Sequence, residues 1–167
     1  MERLLNLEDH IPALRRYAFA LLRGRDDADD LVQGSLLRAI DGMENRRGTG
    51  DLRPWLFSIM HNLFVNQWRR RRVLGAVMVD HPDADVAVAA DQDAGIELHD
   101  VLRRLDRLPD DQRAVLLLVA VEGLDYASAA STLGIPIGTV MSRLSRARDR
   151  LRDAPPSDAK SVPGWRP

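Results

Sequence analysis

The stretch LDYASAASTLGIPIGTVMSRLSRARDRLR, from Leu124 to Arg152, constrains this chain more than any other. Gly134, Ile135 and Pro136 punctuate it: a glycine able to end a helix in the left-handed conformation, then a proline whose preset φ suits the start of the next one. Asp125 is placed to accept from N–H groups that the following first turn leaves unpaired. The pattern predicts a helix over Tyr126 to Leu133, a tight turn and a second helix, which together make a helix-turn-helix. At about 100° per residue, Val140, Leu144, Ala147 and Leu151 share one narrow sector of the second helix and must be its buried side. Thr139, Ser142, Arg143, Arg146 and Arg150 occupy a different sector, cationic and hydroxyl-bearing. Such a face can be ordinary solvated surface. Directly after a tight turn it also suits a DNA major groove, where arginine pairs with guanine or clamps phosphate and small hydroxyls meet the backbone.

Composition bounds what surrounds this element. With 167 residues, 45% of them hydrophobic, the chain can build one domain or two small ones around a real core. Its net charge is only −1, so nucleic-acid binding must come from segregated charge rather than from a basic chain. The absence of cysteine removes disulfides and thiolate zinc sites and fits a reducing compartment. No signal-peptide pattern or long uncharged apolar span stands out, which predicts a soluble, cytoplasmic protein without membrane insertion.

In chain order, Leu7, Ile11, Leu14, Ala18 and Leu21 recur at helical spacing within Leu4 to Leu22, with Pro12 marking either a helix start near Ile11 or a kink. Gly24 breaks that pattern, and the acidic run Asp26 to Asp30 opens the next helix at its positive dipole end. As a calcium loop the run fails, lacking alternating ligands, a central glycine and a closing glutamate. The helix Leu31 to Ile40 presents Leu31, Ser35, Leu36 and Leu37 at helical spacing, with Asp30, Gln33 and Arg38 available for outside contacts. Gly34 in its middle either allows something to pack close or marks a weak point. A glycine-bearing loop, Asp41 to Asp51 with Arg46-Arg47, leads to an aromatic helix over Pro54 to Trp68, where Trp55, Ile59 and Leu63 form one stripe. On another face Asn62 and Asn66 lie one turn apart, and the helix ends in Arg69 to Arg72. The four arginines can cap the helix's negative end or grip phosphate. Amides beside aromatic and arginine side chains suit the reading of an unstacked base in single-stranded nucleic acid.

From about Ala76 to Gly95 the chain turns to alanine, valine and aspartate and reads as a flexible acidic linker. Periodicity resumes with Leu98, Val101, Leu102, Leu105 and Leu108; Leu108-Pro109-Asp110-Asp111 is a stop and restart. Ala114 to Val121 is almost wholly apolar and should be buried on most sides, with Gly123 ending it. The tail after Asp153 is proline-rich and expected to be disordered. His10, His61, His81 and His99 are scattered and form neither a metal pair nor a catalytic motif, so no enzyme and no cofactor or metal is expected.

These segments together resemble the sigma-70 family, specifically the extracytoplasmic-function (ECF) group of bacterial RNA polymerase sigma factors. DDADDLVQGSLLRAI resembles the group's polymerase-docking signature, RPWLFSIMHNLFVNQWRRRR its promoter-melting segment, and LPDDQRAVLLLVAVEGLDYASAASTLGIPIGTVMSRLSRARDRLR its minus-35 domain. The resemblance covers residues from about 10 to 152 and implies an all-α fold of two small helical domains: sigma region 2 over 1–74 and the region 4 helix-turn-helix over 96–153, joined by a linker over 75–95, with a disordered tail over 154–167. By the same resemblance Asp30, Gln33 and Leu37 contact the beta-prime clamp of RNA polymerase core. Asn62 and Asn66, with Arg46 of the glycine loop and Arg69 and Arg70, take the minus-10 element. Thr139, Ser142, Arg143, Ser145, Arg146 and Arg150 take the minus-35 element. The implied partners are polymerase core, promoter DNA and an anti-sigma factor sandwiched between the domains. The chain departs from the group's pattern at Gly34, where an acid is usual, at Asn66, where Asp is common, and at Met141, where a basic residue is frequent.

Linking two modest DNA-reading surfaces to one large polymerase makes the second engagement effectively intramolecular, so selectivity needs no tight contact at either. Two rivals stand beside this reading: a sigma-like decoy that binds only an anti-sigma factor, which Gly34 favours and the retained arginines oppose, and a plain helix-turn-helix repressor, which leaves the first 70 residues unexplained.

Overall fold

A computed structural model describes residues 7–22, 24–44, 46, 50–73 and 100–153, without the side chains of 68–73. The expected linker over 75–95 and tail over 154–167 lie outside the described residues.

Helix α1 spans Ile11–Leu22, so Pro12 sits in its first turn, where a missing N–H leaves nothing unpaired. It buries Leu14, Tyr17, Ala18 and Leu21 along one stripe. Helix α2, Arg25–Met43, begins with Asp26 and Asp27 in its first turn and buries Ala28, Leu31, Val32, Ser35, Ala39 and Met43. Ser35 is tolerated there because its hydroxyl donates to the Leu31 carbonyl at 2.6 Å. Helix α3, Leu52–Val73, lies against both α1 and α2. Its buried side chains are Leu56, Phe57, Met60, Leu63 and Phe64, and Phe57 meets Tyr17 edge-on with ring centroids 5.3 Å apart. The expected Trp55–Ile59–Leu63 stripe is therefore displaced: Trp55 and Ile59 are only half-buried, because α3 is covered from two sides and its core face is set by both neighbours.

Helix α4 covers 100–106 and, with the turn after it, buries Leu102, Leu105 and Leu108, whereas Val101 is exposed rather than part of the stripe. Pro109 precedes α5, Asp110–Leu116, which runs on as a π turn over Leu117–Val121. Val115 and Leu118 are fully buried, but Val121 is exposed, so the apolar run is enclosed only along its first part. The widened turn is visible in the Glu122 N–H, which reaches back to the Leu117 carbonyl at 2.9 Å. Gly123, at φ 70, then turns the chain toward the helix-turn-helix, α6 over Tyr126–Leu133 and α7 over Ile137–Asp153. Helix α6 packs on α7 and also directly on α3, so the two halves share one continuous core.

Candidate nucleic-acid interface

The helix-turn-helix follows its local chemistry closely. Asp125 accepts from the Ser128 N–H at 2.7 Å and from its hydroxyl at 3.1 Å, and these bonds hold the Asp125 carboxyl below its ordinary pKa. Gly134 is left-handed at φ 64, which lets the Ile135 N–H return to the Ala130 carbonyl at 3.1 Å and close the end of α6. The Pro136 carbonyl then accepts from Thr139 and Val140 and starts α7. Val140, Leu144 and Ala147 are buried and Leu151 is half-buried, as the spacing requires. Ser142, Ser145, Arg146 and Arg150 are exposed together on the opposite side, with Thr139 half-buried at the edge. The Ser142 hydroxyl donates to the Thr139 carbonyl at 3.1 Å. Arg143 stands apart from this group: its Nε pairs with Asp111 at 3.1 Å and its side chain is mostly covered.

On α2, Asp30, Gln33 and Leu37 form one exposed face, and Leu37 is 64% accessible with Ile40 beside it at 46%. Exposed leucine and isoleucine next to an acid and an amide make a surface suited to a protein partner. Gly34 lies at the α2–α3 contact, where an added Cβ would meet Leu63 at 3.7 Å, an ordinary van der Waals distance.

Asn62 and Asn66 are both exposed on α3, one turn apart. Arg46 has a structural task instead of a free guanidinium: it donates to the carbonyls of Gly50 and Asp51 and lies 5.4 Å from the Trp55 ring centre. Trp55 in turn closes over Gly42, where a Cβ would stand 3.4 Å from the indole. Arg69 and Arg70 fall in the last turns of α3, and their side chains lie outside the described residues.

A second group of polar residues had no signal in the pattern of the sequence. Glu122 is fully enclosed and pairs with Arg16 of α1 and Arg53 of α3 at 3.0 and 2.7 Å. Burial and the Glu122 carboxylate both raise the pKa of the Tyr17 phenol beside them. His61 is pushed down to about 4, first by burial and then by the positive charge of Arg143. Its Nδ1 has no hydrogen-bond partner among the described residues. Among those residues no cluster of His, Asp or Glu could hold a metal ion, and no helix is long and apolar enough to cross a membrane.

Helical throughout the described residues, with an arginine-hydroxyl face exposed on the second helix of a helix-turn-helix, the protein has the architecture of the helix-turn-helix class. Comparison with known proteins narrows the class. Residues 98–151 match the family described as Sigma-70, region 4, and residues 7–61 match the Sigma2 domain of PhyR. The ECF RNA polymerase sigma factor EcfG of Rhodopseudomonas palustris is 39% identical over 147 residues, covering 84% of this chain and 78% of that protein. SigM of Mycobacterium tuberculosis is 36% identical over 146 residues, 85% of this chain and 71% of SigM. Among solved structures, the sigma factor RpoE in complex with the anti-sigma factor NepR from Bartonella quintana superposes with a TM-score of 0.78 at 35% identity, over 90% of this chain and 94% of that one. CnrH in complex with the cytosolic domain of CnrY gives a TM-score of 0.67 at 27% identity, over 89% of this chain and 83% of CnrH. The chain belongs to the ECF group of RNA polymerase sigma factors.

Proposed function

We propose that this sigma factor divides promoter recognition among three surfaces of its own chain. The exposed Asp30, Gln33 and Leu37 face of α2 docks on the clamp of polymerase core; Asn62 and Asn66, with Arg69 and Arg70, take an unstacked base of the minus-10 element; Ser142, Ser145, Arg146 and Arg150 read the minus-35 duplex. The single observation that carries this reading is the exposed arginine-hydroxyl side of α7, set directly opposite Val140, Leu144 and Ala147. Arg143 joins that side only after leaving Asp111, and Arg46 contributes by shaping the Gly50–Asp51 turn rather than by touching DNA. Duplex binding by α7 positions the complex, and capture of a flipped base favours strand opening without covalent chemistry in this chain. The solved complex of the sigma factor RpoE with the anti-sigma factor NepR supports an inhibitor of that kind here, acting in the cytoplasm.

Run-off transcription with purified core polymerase, on a template carrying the promoter of this protein's own operon, tests the reading. Arg146→Ala should lower specific transcript about ten- to a hundredfold, the value of one good base or phosphate contact, while the variant keeps its melting temperature. The match of residues 7–61 to the PhyR domain favours one second reading, a sigma-like decoy. A chain that binds an anti-sigma factor yet neither retains core in a pull-down nor yields a transcript would establish the decoy.

A further inference from the structure

The exposed side of α7 is not uniform along its length. Arg146, Arg148, Arg150 and Arg152 all lie in its second half, and all are exposed. In the first two turns the only arginine is Arg143, which is turned to Asp111. What those turns expose is Ile137, Gly138, Met141 and Ser142. Ile137 is 50% accessible and Met141 53%, one helical turn apart. A single exposed apolar side chain needs no explanation. Two in succession do when they stand at the start of the second helix of a helix-turn-helix, whose first residues are the ones that reach base edges.

Their surroundings narrow what they can meet. At about 100° per residue Ile137, Met141 and Ser145 descend one edge of the exposed side, and Ser142 and Arg146 descend the other. Gly138 lies between the edges, and a Cβ built there would find nothing within 4 Å, so the backbone is open to approach. The Ser142 hydroxyl donates to the Thr139 carbonyl at 3.1 Å, so its proton is already committed. From Tyr126 to Arg148 the chain has no acidic residue, and nothing there repels phosphate. A stable protein partner needs about 800 Å² of surface on each side, far more than two side chains supply. In a DNA major groove the base edges present hydrogen-bonding groups and one apolar group, the C5 methyl of thymine. Ile137 and Met141 have no proton to donate and suit that methyl alone. Their positions are about 6 Å apart along the helix axis, just under two base-pair steps of about 3.4 Å.

We propose that Ile137 and Met141 are specificity residues for thymine: in the minus-35 duplex each packs on a thymine methyl, while Arg146 and Arg150 take guanine or phosphate further along the helix. The inference rests on the reading of α7 as the minus-35 helix and adds which base its first two turns select. Uracil keeps every hydrogen-bonding group of thymine and lacks only the methyl. The probe is therefore a set of templates in which each thymine of the minus-35 region, on either strand, is replaced singly by uracil. With core polymerase and limiting full-length chain, run-off transcript from the parent should fall about three- to fivefold at one or two positions, the value of one buried methyl group, and stay unchanged at the rest. Met141→Ala should abolish the uracil effect at one of those positions and Ile137→Ala at the other. Arg146→Ala should lower transcript on every template and leave the thymine-to-uracil ratios as they are. Because each ratio is taken within one variant, any change in folded fraction cancels. A parent that transcribes with no loss at any uracil position overturns the thymine assignment and leaves the sigma-factor reading in place. So does a loss that is equally large in the parent, Met141→Ala and Ile137→Ala. No transcript from the parent on any template removes the sigma-factor reading, and this inference falls with it.

Discussion

Arg146 and Arg113 belong to the same half of the molecule, yet they meet opposite environments. Arg146 stands exposed on α7 beside Ser142, Ser145 and Arg150. Arg113 is buried on α5, and its guanidinium donates to the carbonyls of Leu21 and Leu105 at 3.0 Å, Leu108 at 3.1 Å and Asp106 at 3.3 Å. Leu21 lies in the last turn of α1 in the first half, while Leu105 and Asp106 end α4 and Leu108 lies in the turn after it, so one arginine satisfies backbone carbonyls from both halves, across the seam between them. The contrast teaches where each charge acts. The charge of Arg146 has no ion-pair partner among the described residues and faces outward, whereas that of Arg113 is spent on the protein's own acceptors.

The most forceful way to break this comparison is Arg113→Ala. It should cost at least about 3 kcal/mol of folding stability, because buried carbonyls lose charge-assisted donors, and urea unfolding would measure it. Arg113→Lys should recover only part, since one ammonium cannot serve carbonyls spread over two helix ends. An effect as small as that of Arg146→Ala on stability would show that the seam is not carried by Arg113.

A weaker lever is pH. His61 has its pKa lowered from 6.5 to about 4 in the folded chain, so it is held neutral there, while any state that exposes the ring takes up a proton more readily. The contribution is fully present above the unfolded pKa and is lost as pH falls toward the folded one. Between pH 7 and pH 4.5 the chain should lose roughly 2 kcal/mol through this group, beyond what its carboxylates lose. Thermal melts of the parent and of His61→Gln across that range would isolate the difference. Parallel pH profiles for the two would place His61 in water rather than at the seam beside Arg143.

The smallest expected effect lies away from the seam and points the other way. Gly34→Ala adds a methyl at an ordinary 3.7 Å from Leu63 and removes backbone freedom from the unfolded chain. It should stabilise the protein by about 0.5 to 1 kcal/mol in denaturant unfolding, with core binding intact. Loss of stability would show that α2 and α3 need closer approach there than the distance indicates.

The two regions also differ in how far the sequence reveals them. Asp125, Gly134 and Pro136 act on groups only a few residues away, so the cap, the left-handed turn and the start of α7 were legible from the sequence alone. The buried side of α7 followed from helical spacing for the same reason. The aromatic helix was legible as a helix, but its stripe was misplaced. Periodicity finds a helix without saying how many neighbours cover it, and α3 is packed by α1 and α2 on one side and α6 on another. Leu37 shows the converse: a leucine at helical spacing that stays exposed because no described element covers it.

By itself the sequence determined the helices, the helix-turn-helix and the family, because each rests on hydrogen bonds and apolar spacings that close within a turn or two of chain, repeated in a recognisable order. Only the tertiary structure decided the fate of the charges. Glu122 is an unremarked acid at a helix end until the fold carries Arg16, 106 residues away, and Arg53, 69 residues away, to its two oxygens. Arg143, grouped with Arg146 by helical angle, is drawn instead to Asp111. Coulomb attraction and desolvation depend on distance through space, and that distance exists only once the two halves have packed.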